Sequence, residues 1–350
     1  MANLQTVIGS ITLKNPVICG SGEHTMSAEG IRTAIASGAG AVVAKSTNES
    51  QAAKTQLDKT DYRFLSPDWQ ILPWDFKAPN DATVFCRSGL VQQAFEPWMQ
   101  QLLALDREAA TSGSYVIPSL ILSGLDQCVE YLRAIEVMGF RIVEVNIGAP
   151  HGDEAAKGAI VLERDASRIE DIVSRLRAAT RLPLWIKLTG QSEDPAALAE
   201  AARRSGADAV ILMGRFMGFI PDLETGLPLL GTSAAIGGCW ALPLTARCIA
   251  LARKRLGSTY PLLATNGARS GLDVARFLMS GAAATEMASL VLMQGYGALT
   301  DCIAELDAYL DRQGKSAAEL LGVAADKLQS YAQQPDQPGY WREFAPPTGQ

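Results

Sequence analysis

Histidine is almost missing from this chain of 350 residues: His24 and His151 are the only two. That scarcity argues against a multi-histidine metal centre, and no metal is expected. The six cysteines, Cys19, Cys86, Cys128, Cys239, Cys248 and Cys302, lie far apart with no C-x-x-C pair. Iron–sulfur and structural zinc sites are disfavoured on that spacing, and reduced thiols in a reducing cytoplasm are expected. No uninterrupted apolar run reaches the ~18 residues that would suggest a membrane span. Met1–Thr6 has neither a basic n-region nor an apolar h-region, so no signal peptide is read there. There is no basic run either: 31 Lys and Arg stand against 37 Asp and Glu, a net charge of −6. Nucleic acid and anionic membranes are therefore poor candidate partners. No G-x-G-x-x-G follows the first predicted strand, which counts against a dinucleotide-binding sheet.

What is present is a large apolar fraction, 48%, with 19% charged residues, enough for one large α/β barrel or two domains. Continuous apolar runs predict buried strands at Pro16–Gly20, Ala41–Lys45, Tyr115–Ile121, Arg141–Asn146, Leu182–Leu188, Ala207–Met213, Tyr260–Thr265 and Ala282–Met287. Helical spacing occupies Ala28–Ser37, Leu125–Met138, Ser167–Thr180, Pro195–Ser205, Leu242–Leu256 and Leu272–Ser280. Eight β/α units in series predict a single (β/α)8 TIM barrel over residues 1–332, with an open doubly wound sheet as the competitor. Residues 47–114 break the rhythm and are read as a lid or rim insertion after strand two, including an amphipathic stretch, Gln92–Ala110. An irregular insertion, Gly214–Ile236, follows strand six, and residues 333–350 form a C-terminal arm.

The most informative stretch is Arg141–Gly152, a β-branched run that ends in Asn146 and passes into a small-residue loop with Pro150. In a barrel of this kind the C-terminal strand ends carry the chemistry. Other strand ends bear Gly20-Ser21-Gly22-Glu23-His24, Lys45-Ser46, Lys187-Leu188-Thr189, Asn266-Gly267 and Ala288-Ser289. Gly237-Gly238 closes the second insertion. Two lysines at one barrel mouth need a partner, because an unpaired buried ammonium is costly. The last two loops suit a phosphate, with backbone N–H groups at small residues and a helix beyond. Taken singly, Asn266-Gly267 also reads as a turn and Lys45 as a rim charge.

As a series these motifs are similar, over residues 9–325, to the FMN-binding barrel of the dihydroorotate dehydrogenases and of the pyrimidine-reducing domain of dihydropyrimidine dehydrogenase. Matching stretches include Leu13-Lys14-Asn15-Pro16, Gly20-Ser21-Gly22-x-His24-x-Met26, Gly40–Ser46, Asn146-x-x-x-Pro150-His151-Gly152, Ile186-Lys187-Leu188-Thr189 and Gly271-x-Asp273-Val274. The resemblance implies FMN contacts from Gly20, Ser21, Gly22, Lys45, Ser46, Asn146, Lys187, Gly237, Gly238, Asn266, Gly267, Ala288 and Ser289. Lys187 would stabilise negative charge at the N1/O2 edge of a reduced flavin. The pyrimidine-reading asparagines agree less well: only Asn146 survives, and Cys86, His151 and Gly214 stand at the others. Ala149 falls where the family keeps its catalytic Cys or Ser, and it can neither give nor take a proton.

The expected activity is thus hydride transfer between flavin N5 and an activated C=C or ring bond of a small cyclic or carboxylated substrate other than dihydroorotate. Lys45, Asn146, His151 and Arg215 are the candidate catalytic residues, His151 taking the proton role and Arg215 binding a carboxylate. Cys86, Asn146, His151, Arg215 and Trp240 are the candidate substrate contacts, with Trp240 stacking on an aromatic ring. Cys239 reads as a buried small residue, and His24 as part of the flavin-approach loop. Electrons would come from a partner protein or free NAD(P)H, and a homodimer is expected by analogy. Three competitors stay open: a non-redox phosphate-binding lyase or isomerase, a dihydroorotate or dihydropyrimidine enzyme with a displaced base, and a flavoprotein with only a binding role.

Overall fold

Val17-Ile18-Cys19 and Ala209-Val210-Ile211-Leu212 have no polar side chain for either face, and every residue in them is buried. Such segments are stable as parallel strands covered on both sides. The computed structural model describes residues 2–149, 163–214 and 216–347. After a hairpin, β1 (Thr6–Ile8) with β2 (Ile11–Leu13), come β3 (Val17–Cys19), α1 (Ala28–Ala36) and β4 (Ala41–Val43). The first insertion holds α2 (Gln51–Thr55), β5 (Asp61–Leu65), β6 (Ile71–Leu72) and β7 (Thr83–Arg87). The next elements are α3 (Phe95–Ala110), β8 (Tyr115–Ile117), β9 (Ser119–Ile121), α4 (Leu125–Met138) and β10 (Val143–Asn146). The chain continues through α5 (Ala166–Ala179), β11 (Leu184–Lys187), α6 (Pro195–Arg204) and β12 (Ala209–Leu212). The second insertion, β13 (Phe216–Gly218) and β14 (Ala234–Gly238), leads to α7 (Leu242–Leu256), β15 (Leu262–Thr265), α8 (Gly271–Ser280) and β16 (Ala282–Met287). Last come α9 (Ser289–Gln294), α10 (Gly297–Gln313) and α11 (Ala317–Leu320).

All eight predicted strands and all six predicted helices are present, with ends shifted by two residues at most. The parallel sheet runs β8-β4-β3-β16-β15-β12-β11-β10-β9. β8 and β9 are halves of one strand split at Pro118, which has no N–H for the ladder. One half pairs with β4 and the other with β10, so eight strands close into a barrel. The β1–β2 hairpin stoppers its lower end, where Ile8, Ile11 and Leu13 pack with Ile18, Ile211 and Leu263. The opposite, C-terminal end is left for chemistry. Among the described residues, no helix is long and apolar enough to cross a membrane.

The first insertion divides differently from its sequence reading. Phe95–Ala110 belongs to the outer helical ring: Trp98, Met99, Leu102, Leu105 and Ala109 are buried with Ile31, Ala34 and Val116. Its apolar face is as wide as a core helix requires, which is why it packs rather than standing at the rim. Strands of the two insertions join in one antiparallel sheet, β13-β14-β7-β5-β6. The join is β14 to β7, with Ala235 opposite Cys86 and Gly238 opposite Thr83. In the tail, short 3-10 turns at Tyr331–Gln333 and Tyr340–Phe344 leave Tyr331, Trp341 and Phe344 exposed.

Candidate active site

Three barrel strands aim charged side chains at one point. In parallel register Asn146 lies opposite Lys187 and Thr265 opposite Glu286, which brings the ends of β10, β11, β15 and β16 together. Lys187 Nζ lies 2.9 Å from both carboxylate oxygens of Glu144 and 2.6 Å from Glu286 Oε2. All three residues are buried. Burial alone would lower the Lys187 ammonium; Glu144 and Glu286 outweigh it and raise the group above its usual value. Burial, and then Glu144, push the Glu286 carboxyl up to about 8. Ser119 Oγ donates to Glu144 Oε1 at 3.0 Å, Ser46 Oγ is 2.8 Å from Ser119 Oγ, and Ser21 Oγ is 3.3 Å from Ser46 Oγ. Hydroxyls therefore connect the Gly20-Ser21-Gly22 loop to the buried acid. Neither glutamate was picked out from sequence. A signal existed, because a carboxylate inside an otherwise apolar buried strand, as in Val143-Glu144-Val145, must have a partner.

Lys45 is held differently. Its Nζ donates to Glu23 Oε1 at 3.0 Å and to Ser88 Oγ at 2.8 Å, and Ser88 Oγ donates to Glu23 Oε1 at 2.5 Å. Tyr62 OH donates to Glu23 Oε2. Burial would raise the Glu23 carboxyl, yet Lys45 and the Ser88 and Tyr62 hydrogen bonds hold it at about 2. Tyr62 is raised well above the phenol range by burial, with Cys86 and Glu23 adding to it. Burial pushes His24 down to about 4, so it is neutral, with Nε2 2.9 Å from the Gly20 carbonyl. It braces the glycine loop, which is the role left to it by sequence.

The small residues are where a bulky one would not fit. A Cβ on Gly237 would stand 2.7 Å from Asn266 Oδ1, and one on Gly267 (φ 107°) 2.4 Å from the Leu242 amide. Asn266 holds φ 66° while its Nδ2 donates to the Met213 carbonyl at 2.7 Å. Ser21, Gly22, Lys45, Cys86, Gly237, Asn266, Gly267, Ala288 and Ser289 line a cavity of about 160 Å³. A second cavity of about 120 Å³ is lined by Gly20, Ser46, Asn146 and Lys187, and Ser21, Lys45, Glu286 and Ala288 line both. The sequence-predicted cradle thus converges on one place.

Two predicted positions differ. Gly238 packs toward Thr83 and Trp240 and does not line either cavity. Trp240 sits edge-on to Phe216 at 5.4 Å, and it is Phe216 that lines the cavity. The turn after Gly238 sets the indole against Phe216, and Trp240 lines neither cavity. Gly214 lines both cavities, as its alignment implied. Ala149 is fully buried. His151 and Arg215 lie outside the described residues.

A closed parallel barrel with strand-end lysines, a polar cavity and a glycine-lined cradle defines a TIM-barrel enzyme of the phosphate-bearing-cofactor kind. Residues 71–310 match the dihydroorotate dehydrogenase family, and the chain belongs to it. It is 26% identical over 321 residues to the dihydroorotate dehydrogenase B (NAD(+)) catalytic subunit of Methanocella arvoryzae, covering 90% of this chain and 96% of the relative. The same figure, 26%, holds over 326 residues for the Methanosarcina acetivorans protein of that name (91% and 95% covered). A putative dihydroorotate dehydrogenase A (fumarate) of Pediococcus pentosaceus is 26% identical over 295 residues (83% and 88% covered). The chain is therefore an FMN-dependent oxidoreductase, and a non-redox reading falls away. The residues present fit the cofactor: small residues, Ser21, Gly22, Gly237, Gly267, Ala288 and Ser289, line the cavity beside the Lys45 ammonium, and Lys187 lines the adjoining one, donor chemistry suited to a flat ring and a phosphate.

Proposed function

We propose that this oxidoreductase acts on an activated C=C or ring bond of a small cyclic or carboxylated substrate other than dihydroorotate. The observation that carries the reading is Ala149, a buried methyl group where the family resemblance puts a proton-transferring Cys or Ser. Losing a well-placed base costs about 10²–10⁴-fold in rate, or roughly 3–5 kcal/mol. FMN, when bound, supplies hydride acceptance and donation at N5. Gly20, Ser21, Gly22, Lys45, Ser46, Asn146 and Lys187 would hold its ring, and Gly237, Asn266, Gly267, Ala288 and Ser289 its phosphate tail. Asn146 Oδ1 accepts from the Gly148 amide at 3.2 Å, which leaves its amide N–H groups to read a substrate acceptor. His151 remains the candidate proton carrier and Arg215 the candidate carboxylate clamp. The Tyr62–Glu23–Ser88–Lys45 cluster adds a second set of proton-bearing groups on the cavity wall.

Purified FMN-loaded protein should show dihydroorotate oxidation at least ~100-fold below an ordinary enzymatic rate of ~10 per second. Turnover at that ordinary rate would favour the reading with a displaced base. Because relatives carry the designation "catalytic subunit", a separate electron-carrying partner is part of the proposal, with free NAD(P)H as its alternative.

A further inference from the structure

Lys187 is one ammonium between two carboxylates, 2.9 Å from Glu144 and 2.6 Å from Glu286, and all three are more than nine-tenths buried. Without an added proton the group is net negative, a costly state inside an apolar barrel. Glu286 Oε1 has no donor while both acids are ionised, Glu286 and Glu144 come within hydrogen-bond reach once one is protonated, and Glu286 lines both cavities. The other groups facing it are few. Cys19 on β3 is a thiol pushed up by burial and by Glu286 itself. Thr265 on β15 donates to the Glu286 carbonyl, and Lys45 shares the cavity but is already paired with Glu23. Of the two acids that line the larger cavity, Glu23 is held ionised by Lys45, Ser88 and Tyr62, which leaves Glu286 to respond to negative charge arriving there.

We propose that Glu286 binds a proton together with the electrons that enter the cavity, so that the protein carries the second proton of a two-electron reduction. The balance is simple. Oxidation of a CH–CH bond releases a hydride and a proton. The released proton goes to solvent; FMN, when bound, would supply hydride acceptance with one added negative charge, and the Glu286 carboxylate would take one proton from solvent and become neutral. The Ser21–Ser46–Ser119–Glu144 hydrogen-bond chain, with Glu144 in turn within hydrogen-bond reach of Glu286, gives that proton a route from the loop to the buried group. Burial and Glu144 raise the Glu286 carboxyl to about 8, so the extra proton uptake belongs to more alkaline solution, where the group is ionised before any electron arrives. The inference is independent of which substrate donates the hydride.

The test is a potentiometric titration of FMN-loaded wild type and E286Q across neutral and alkaline pH. Wild type should steepen above about pH 8, from roughly 30 to roughly 60 mV per pH unit, as a second proton joins each electron pair. E286Q should stay at roughly 30 mV throughout. Equal slopes in the two proteins, or a wild-type slope that never steepens, would overturn the proposal. If E286Q does not load FMN, a reduced-minus-oxidised infrared spectrum of wild type at alkaline pH decides instead. Growth of a protonated-carboxyl band on reduction supports the assignment, and its absence defeats it.

Discussion

Lys45 and Lys187 both end a barrel strand at the same mouth, yet they are neutralised in opposite ways. Lys187 is set among barrel strands, between two carboxylates that the register of β10, β11 and β16 fixes in place. Lys45 has one carboxylate, Glu23, which is steadied by Tyr62 and Ser88 from the first insertion. The frame of the barrel thus overcompensates one ammonium, while the inserted segment helps to balance the other. The lesson is that the positions of the charges buried in the frame are set by strand register, whereas the surroundings of Lys45 can be retuned by changing the insertion.

Breaking the Lys187 site should have the largest effect. Lys187→Met leaves two buried carboxylates facing each other and should cost about 3–5 kcal/mol in chemical denaturation. A loss under about 1 kcal/mol would show that the triad is already neutral without the lysine. At the other site, Glu23→Gln should cost about 1.5–3 kcal/mol, because a charged acceptor of three hydrogen bonds is lost. Tyr62→Phe removes only one donor and should cost about 0.5–1.5 kcal/mol. If Tyr62→Phe proved the more damaging, Glu23 would not be the anchor of that cluster.

Two pH windows, one below and one above the ordinary carboxylate value, should separate the two sites. Glu23 is depressed to about 2, so the folded state binds fewer protons there than the unfolded chain. Its contribution is complete above the ordinary carboxylate value near 4.5 and is lost as pH falls towards 2. Glu286 is raised to about 8, so the folded state binds more protons, and stability falls as pH rises from 4.5 through 8. Unfolding free energy measured against pH should therefore lose part of its slope below pH 4.5 in Glu23→Gln and part of its fall between pH 4.5 and 8 in Glu286→Gln. A fall between pH 4.5 and 8 unchanged by Glu286→Gln would place the titrating group elsewhere.

Much of this arrangement was readable in the chain. Apolar runs marked all eight barrel strands, and the polar residues at their ends named most of the cavity lining. Glu144 and Glu286 were visible but uninterpreted, because only strand order puts β16 and β10 on either side of Lys187. The antiparallel sheet was not readable at all. Its central join, Ala235 opposite Cys86, links two insertions far apart in sequence, and nothing local encodes that pairing. Trp240 misled for a related reason: proximity in sequence to Gly237-Gly238 says nothing about which way the following turn carries the indole.

By itself the sequence determined the repeating β/α rhythm, the glycines at the cradle and the family to which they belong. It could do so because hydrophobic period, turn chemistry and the absence of a Cβ are local properties. Tertiary structure alone decided which charges meet, which insertion strands pair and which aromatic faces the cavity. Those outcomes depend on closing a barrel, a long-range event that sets register and brings residues from distant strands within a hydrogen bond of one another.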